Sequence, residues 1–296
     1  MNQTSKTKKT FKDKWENNPD LYFKQTLDET SEFNYWILNR NGFKNGRALE
    51  NYLSGKKRIL DAGCGNGRVT AVLRRHADLR TEVVAIDLVP IKIAEENLKR
   101  VGLKENTNFY NMDLMADLKD LGKFDFIYCQ EVLHHTQNPY QAFHNLVKIL
   151  APGGEIAIYV YKRKAPIREY VDDYIRERIS QMPYNKAMGV CDEITEFAKV
   201  LSRKKIKIKV PKVEILGIEA GEYDFQRFIY HFFMKCYWRE TLPFKANSVV
   251  NYDWYHPQLC TRHTVEEIRG WFKKSGLKIV QEFVDLYGIT MRGKKL

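Results

Sequence analysis

The chain has 296 residues, 44% of them hydrophobic, and a formal net charge of +12. That composition supports one sizeable core or a core domain with an appendage. No apolar run approaches the roughly 20 residues that cross a bilayer, so a helical membrane span is excluded. The lysine-rich segment 1–14 has no apolar stretch of the kind a secretory signal needs. Five scattered cysteines (Cys64, Cys129, Cys191, Cys236 and Cys260) form no CxxC pair and no disulfide framework. Both features point to a reducing, cytoplasmic setting. The charge is unevenly placed: residues 1–14 carry +4 and residues 162–212 carry +7, leaving +1 for the rest. An anionic partner or a solvated basic face would each account for it.

In chain order, residues 1–50 read as an N-terminal helical cap. Trp15, Tyr22, Phe23, Tyr35 and Trp36 lie in its helical stretch 15–41. Between about residues 56 and 161, β-rich apolar runs alternate with helical patterns, the signature of a parallel sheet covered by helices. The expected strands are Arg58–Ala62, Glu82–Ile86, Thr107–Tyr110, Asp125–Gln130 and Glu155–Tyr161. Val69–His76, Ile91–Val101 and Tyr140–Leu150 are the expected helices between them, the last stopped by Ala151-Pro152-Gly153-Gly154.

From residue 162 to 262 the alternation stops and helical spacing takes over. Ile206, Ile208 and Val210 alternate with lysines as an edge strand would, and Phe225–Tyr237 makes an aromatic helical stripe. The α/β pattern resumes at Thr264-Val265-Glu266-Glu267, which reads as a capping box. A helix to Lys274 and a strand pair, Leu277–Val284 and Tyr287–Arg292, follow. Residues 162–262 are therefore an insertion in an α/β domain formed by 51–161 and 263–296.

The most informative stretch is Asp61-Ala62-Gly63-Cys64-Gly65-Asn66-Gly67, where a strand runs into an acid and three glycines. Glycines let a backbone turn sharply and let a ligand lie against it. The spacing differs from the G-x-G-x-x-G of dinucleotide sites. A second acid, Asp87, ends the next strand, where an acid accepts ribose hydroxyls in Rossmann-like sites. Asn111-Met112-Asp113-Leu114 follows the third strand, and the fourth runs through Gln130 into Glu131-Val132-Leu133-His134-His135.

These residues, in order, resemble the class I S-adenosylmethionine-dependent methyltransferases over most of 45–161 and again from 264 to the end. The resemblance implies an α/β, Rossmann-like methyltransferase fold: a seven-stranded, mostly parallel sheet carrying a mainly helical lid. It implies that Asp61, Gly63, Gly65, Gly67, Asp87, Leu88, Met112, Asp113 and Gln130 bind S-adenosyl-L-methionine, leaving S-adenosyl-L-homocysteine as product. Tyr22 or Arg40 of the N-terminal segment is expected at the cofactor's methionine end. The loop carries no lysine clamp, which suits a cofactor without phosphates. The Asn/Asp-Pro-Pro-Tyr run of amino-directed DNA and glutamine methylases is missing after the fourth strand. Adjacent histidines usually point to different sides, so His134 and His135 are not expected to bind metal.

The run Tyr252-Asp253-Trp254-Tyr255-His256-Pro257, with His263-Thr264, resembles a subgroup of small-molecule methyltransferases that includes sugar and natural-product tailoring enzymes. On that likeness His263, His256, Asp253 and Tyr255 are candidates for the catalytic side, a histidine being suited to take a proton. The competing expectation is that these residues pack the lid onto the domain. The insertion is expected to cap the carboxyl ends of the strands. The leading function is O- or N-methylation of a small, potentially anionic molecule. An RNA methyltransferase using the basic segments and a non-methylating cofactor binder are the rivals.

Overall fold

A computed structural model describes residues 3–296. The chain divides into two compact units, one of residues 15–162 with 261–296, the other of the residues up to Lys14 with 163–260.

Helices α1 (Gln3–Asn17), α2 (Phe23–Leu27), α3 (Glu32–Asn39) and α4 (Gly46–Leu53) come first. Ser31 and Asn45 start the third and fourth by accepting the amides of Phe33 and Ala48. The first strands are β1 (Arg58–Ala62), β2 (Glu82–Asp87), β3 (Thr107–Asn111), β4 (Phe124–Gln130) and β5 (Leu150–Tyr161). Between them run α5 (Arg68–His76), α6 (Lys92–Arg100) and α7 (Pro139–Lys148). Ile59, Leu60, Val83 to Ile86 and Phe126 to Cys129 are all buried, as strands covered on both faces require.

Two expectations need correction here. The expected cap of residues 1–50 is not one separate piece: the residues up to Lys14 group with 163–260, and Phe23, Leu27, Ile37, Leu38, Leu49 and Leu53 share one core with Ile59 and Phe126. The fifth strand begins ahead of Glu155, since the stretch Ala151–Gly154, expected only to stop the helix, lies within β5, whose pairing jumps from Phe124–Leu150 to Phe126–Glu155. The residues between are looped out in a bulge, with Gly153 at φ 73°.

The inserted unit is built from α8 (Pro166–Ile179), α9 (Tyr184–Arg203), the hairpin β6 (Lys207–Val210) and β7 (Gly221–Asp224), α10 (Phe225–Phe232) and α11 (Phe244–Tyr255). The expected edge strand is thus real, and its antiparallel partner was hidden in the polar run Gly221–Asp224. The aromatic stripe does not form one helix, since α10 stops at Phe232 and the chain to Trp238 is irregular. Helix α11 packs against α8 and α9. At their centre the buried Asp172 accepts from Trp254 Nε1 at 2.8 Å, the Lys235 amide at 2.8 Å and Arg168 Nε at 3.1 Å.

The chain then returns as α12 (Val265–Lys274), β8 (Leu277–Val284) and β9 (Gly288–Lys295). These complete a seven-stranded sheet of order β3-β2-β1-β4-β5-β9-β8, in which β1 to β5 are parallel and β9 runs antiparallel to β5 and β8. Its order reverses between β1 and β4, where the carboxyl ends of an open α/β sheet form a crevice.

Candidate functional site

The crevice begins with β1. Asp61 sits near its end, 1% exposed, and accepts one hydrogen bond from Thr70 Oγ1 at 2.5 Å. Burial raises its pKa to about 7, the neighbouring Asp87 charge adds to this, and the Thr70 bond opposes it. A buried carboxylate suits a ligand that brings a positive charge.

The chain then turns through Gly63 (φ 92°), Gly65 (φ 54°) and Gly67 (φ 85°). At Gly63 the reason is double, because an added Cβ would also lie 2.2 Å from Val132 Cγ2. The loop is fastened on several sides. The Gly63 and Cys64 amides donate to the Ile86 carbonyl at 2.8 and 3.0 Å. Asn66 Nδ2 reaches the Pro19 and Leu21 carbonyls, while Asn97 Nδ2 holds the Asn66 carbonyl at 2.9 Å. The Trp15 indole lies against Gly65, where an added Cβ would come within 2.7 Å of it.

Asp87 stands half-buried at the end of β2, one strand over. Its Oδ2 accepts the Gly65 amide at 2.7 Å and its Oδ1 the Val89 amide at 3.0 Å, which fixes the carboxylate beside the loop. Leu88, Met112 and Asp113 follow the ends of β2 and β3 and are all half-buried. The Met112 amide bonds the Asp87 carbonyl at 2.9 Å, and Asp113 Oδ1 accepts from the Met115 amide at 2.9 Å. Gln130 ends β4, its side-chain oxygen 3.2 Å from the Tyr128 hydroxyl. The predicted residues Asp61, the glycines, Asp87, Leu88, Met112, Asp113 and Gln130 therefore sit at the ends of four adjacent strands, β3-β2-β1-β4.

Sequence reasoning missed Glu131, held at φ 60°, whose carboxylate pairs with Arg68 at 3.0 Å. The positive φ of a non-glycine residue right after a parallel strand has no signature in composition. Arg68 is a cation at the exit of the glycine loop, and Glu131 balances it, so the loop offers no net positive charge to a phosphate. The set of acceptors fits adenosylmethionine on this chemistry. Carboxylates from three strands would accept from an ammonium, a ribose diol and an amino group.

Tyr22 and Arg40 have internal partners. Tyr22, in the left-handed region at φ 56°, stacks on Phe33 with centroids 4.3 Å apart. Arg40 is 5% exposed, donates to Asp285 Oδ2 at 2.6 Å and lies over Trp36 at 4.6 Å and Tyr159 at 5.2 Å.

Each of the four candidate catalytic residues is engaged in hydrogen bonds or ion pairs within the protein. His263 bonds the Thr261 hydroxyl through Nε2 and Glu267 through Nδ1, both at 2.9 Å, with its ring edge against Trp271. Both ring nitrogens are thus occupied, and the residue holds the start of α12. His256 lies between Thr10 Oγ1 at 2.8 Å and the Met182 carbonyl at 2.9 Å, and burial pushes its pKa down. Tyr255 is buried with its hydroxyl 2.8 Å from Asp172 Oδ1, and Asp253 pairs with Lys14 at 2.7 Å. The partners given for each of them lie within that residue's own unit. The His134 ring stacks on Tyr161 at 3.7 Å, with the His135 ring edge-on to it at 4.4 Å.

Residues 60–158 match the family model described as a methyltransferase domain. An uncharacterized protein of Synechococcus sp. is 37% identical over 131 residues, 43% of this chain and 30% of its own length. A ubiquinone biosynthesis O-methyltransferase of Coxiella burnetii is 31% identical over 100 residues, 34% of this chain and 42% of its own. The chain thus spans less than half the length of these curated relatives. Among solved structures, the 1,6-didemethyltoxoflavin-N1-methyltransferase of Burkholderia thailandensis aligns at a TM-score of 0.45 and 15% identity, over 84% of this chain and 77% of its own.

Proposed function

We propose that the chain, whose residues 60–158 match a methyltransferase-domain family model, is a class I S-adenosylmethionine-dependent methyltransferase that methylates an oxygen or nitrogen of a small-molecule acceptor. The observation that carries the reading is the row of carboxylates Asp61, Asp87 and Asp113 at the ends of neighbouring strands beside a charge-balanced glycine loop.

Bound adenosylmethionine supplies an electrophilic methyl on a sulfonium. Asp61 would take its ammonium, Asp87 its ribose hydroxyls, and Asp113 with Met112 its adenine. Gly63 to Gly67 let the backbone lie flat against the amino-acid end. The Asn66–Asn97 and Asn66–Leu21 bonds keep that loop from moving as the ligand arrives. This chain's share of the chemistry is then chiefly alignment, which is worth several kcal/mol when the reacting atoms are held in line. With both nitrogens of His263 occupied and His256 bonded inside the inserted unit, no histidine is assigned to remove a proton. Acceptor recognition is assigned to the inserted unit.

The test is transfer of labelled methyl from adenosylmethionine into small-molecule and RNA fractions of cell extract by the full chain. Label in the small-molecule fraction supports the reading, and label in RNA alone would overturn it. Failure of the wild-type chain to bind adenosylmethionine by calorimetry would overturn the cofactor assignment.

A further inference from the structure

We propose that the inserted unit contains a built site for an oxyanion, a phosphate or carboxylate group of the acceptor, formed by Arg227, Arg168, Lys164 and Lys235 around Tyr230 and Trp254. The inference rests on the methyl-transfer reading for identifying that anion with the acceptor.

The cations are gathered around two rings. Lys235 Nζ lies 4.8 Å from the Trp254 ring centroid, the Arg168 guanidinium 5.2 Å and Lys164 Nζ 5.8 Å. The Tyr230 ring has Arg168 at 4.7 Å and Arg227 at 5.4 Å. Aromatic faces attract cations, but each such contact is worth only about 0.5–2 kcal/mol. This is no solvated basic face, since Arg168 is 1% exposed and Lys235 7%. Taking a cation out of water costs several kcal/mol unless an anion or other acceptor answers it.

Asp172 answers Arg168 at 3.1 Å. Arg227 has no acidic partner among the described residues. Its Nη2 donates to the Trp238 carbonyl at 3.0 Å, and its Nη1 is buried without a hydrogen-bond partner. A buried guanidinium nitrogen with an unused donor is a costly feature that a ligand oxygen would relieve. His231 lies in the same field: burial first, then the charges of Arg168, Arg227 and Lys164, push its pKa down to about 3. The imidazole therefore stays neutral and can share a proton with an anion without adding charge. Guanidinium groups pair with phosphate and carboxylate through parallel N–H bonds, and an ammonium adds a point charge. The aromatic walls suit the uncharged part of the same small molecule.

The experiment is calorimetric titration of the full chain, at low ionic strength, with inorganic phosphate and with malonate. Saturable binding of one of them is expected, weakened about tenfold or more in Arg227→Gln and in the half-buried Lys164→Gln. Adenosylmethionine affinity should be unchanged in both variants, and wild-type hydrogen-exchange protection of α8 and α11 checks that the inserted unit folds in them. No saturable binding of either anion, or equal binding in wild type and both variants, would overturn the site. RNA binding that these variants abolish, with no affinity for the small anions, would overturn it in favour of a nucleic-acid surface. A wild-type chain that binds the anion but not adenosylmethionine would sink the methyl-transfer reading and leave the anion site standing.

Discussion

At the scale of single residues, the acids of the crevice divide the work by environment. Asp87 is half-buried and already holds two backbone amides, so it presents a fixed carboxylate to a ligand. Asp87→Ala should weaken adenosylmethionine binding about ten- to hundredfold, the range for a hydrogen bond to a charged group. Calorimetry that finds wild-type affinity in a folded variant would remove Asp87 from the site. Asp61 behaves differently because it is buried and its pKa is raised to about 7. A carboxyl raised in the fold binds its proton more tightly there than in the unfolded chain. It therefore favours the fold below the ordinary carboxylate range, and that contribution is lost as pH rises through about 7. A ligand ammonium beside it would reverse the preference and expel the proton. Adenosylmethionine binding should then release close to one proton at pH 6 and little at pH 8, with affinity rising between. Titrations in buffers of different ionisation heat measure this, and Asp61→Asn should abolish the release. Cofactor binding at pH 6 with no proton release would show that Asp61 does not meet the ammonium. Both acids were legible in the sequence because they stand at fixed offsets from strand and glycines. Glu131 and Trp15 were not, since a left-handed residue and an indole laid on Gly65 arise from tertiary packing.

At the scale of elements, alternation of apolar runs and helical patterns located the parallel strands well, because buried strands must be apolar throughout. The bulge in β5 escaped it: Pro-Gly-Gly signals a turn, and the re-pairing of Glu155 with Phe126 depends on the neighbouring strand. Helix α12 shows a subtler departure. Thr264 does cap it, accepting the Glu267 amide at 3.2 Å, but the Glu267 carboxylate turns to His263 instead of closing the box on Thr264. The expected catalytic histidine and the expected capping acid thus serve each other. His263→Ala should lower stability by about 1–2 kcal/mol, as loss of a buried hydrogen-bonded pair does, and leave adenosylmethionine affinity unchanged. A stable variant with turnover reduced about a hundredfold or more would restore His263 as a base. The glycine loop is the stiffer element. Gly63→Ala meets both a left-handed backbone and the Val132 side chain, each costing about 1–3 kcal/mol. It should lower the melting temperature and weaken the cofactor together, and a variant with unchanged melting would show that the loop relaxes freely.

At the scale of the whole molecule, the sequence marked the insertion by the break in alternation but could not reveal what holds it together. Its polar centre is Asp172, invisible in sequence because it looks like one acid among many on a charged helix. In the fold it is 1% exposed and accepts from Arg168, Trp254, Tyr255 and the Lys235 amide, so α8, α11 and the chain after α10 meet on one carboxylate. The same run, Asp253 to His256, had suggested chemistry, and its aromatic members are instead donors to this hub. Asp172→Asn keeps the shape but removes the charge, leaving Arg168 buried without its counter-ion. Breaking one half of such a pair typically costs about 3–5 kcal/mol. Because residues 163–260 belong to a compact unit of their own with the residues up to Lys14, the loss should fall on that unit and spare the sheet. Hydrogen exchange should show faster opening of α8 and α11 in the variant, while protection of β1 and β4 stays as in the wild type. Adenosylmethionine affinity should persist, because every residue assigned to the cofactor lies in the other unit. Equal loss of protection across both units would mean that the chain unfolds as one cooperative body, and loss of cofactor binding without loss of protection would place Asp172 in the functional site itself.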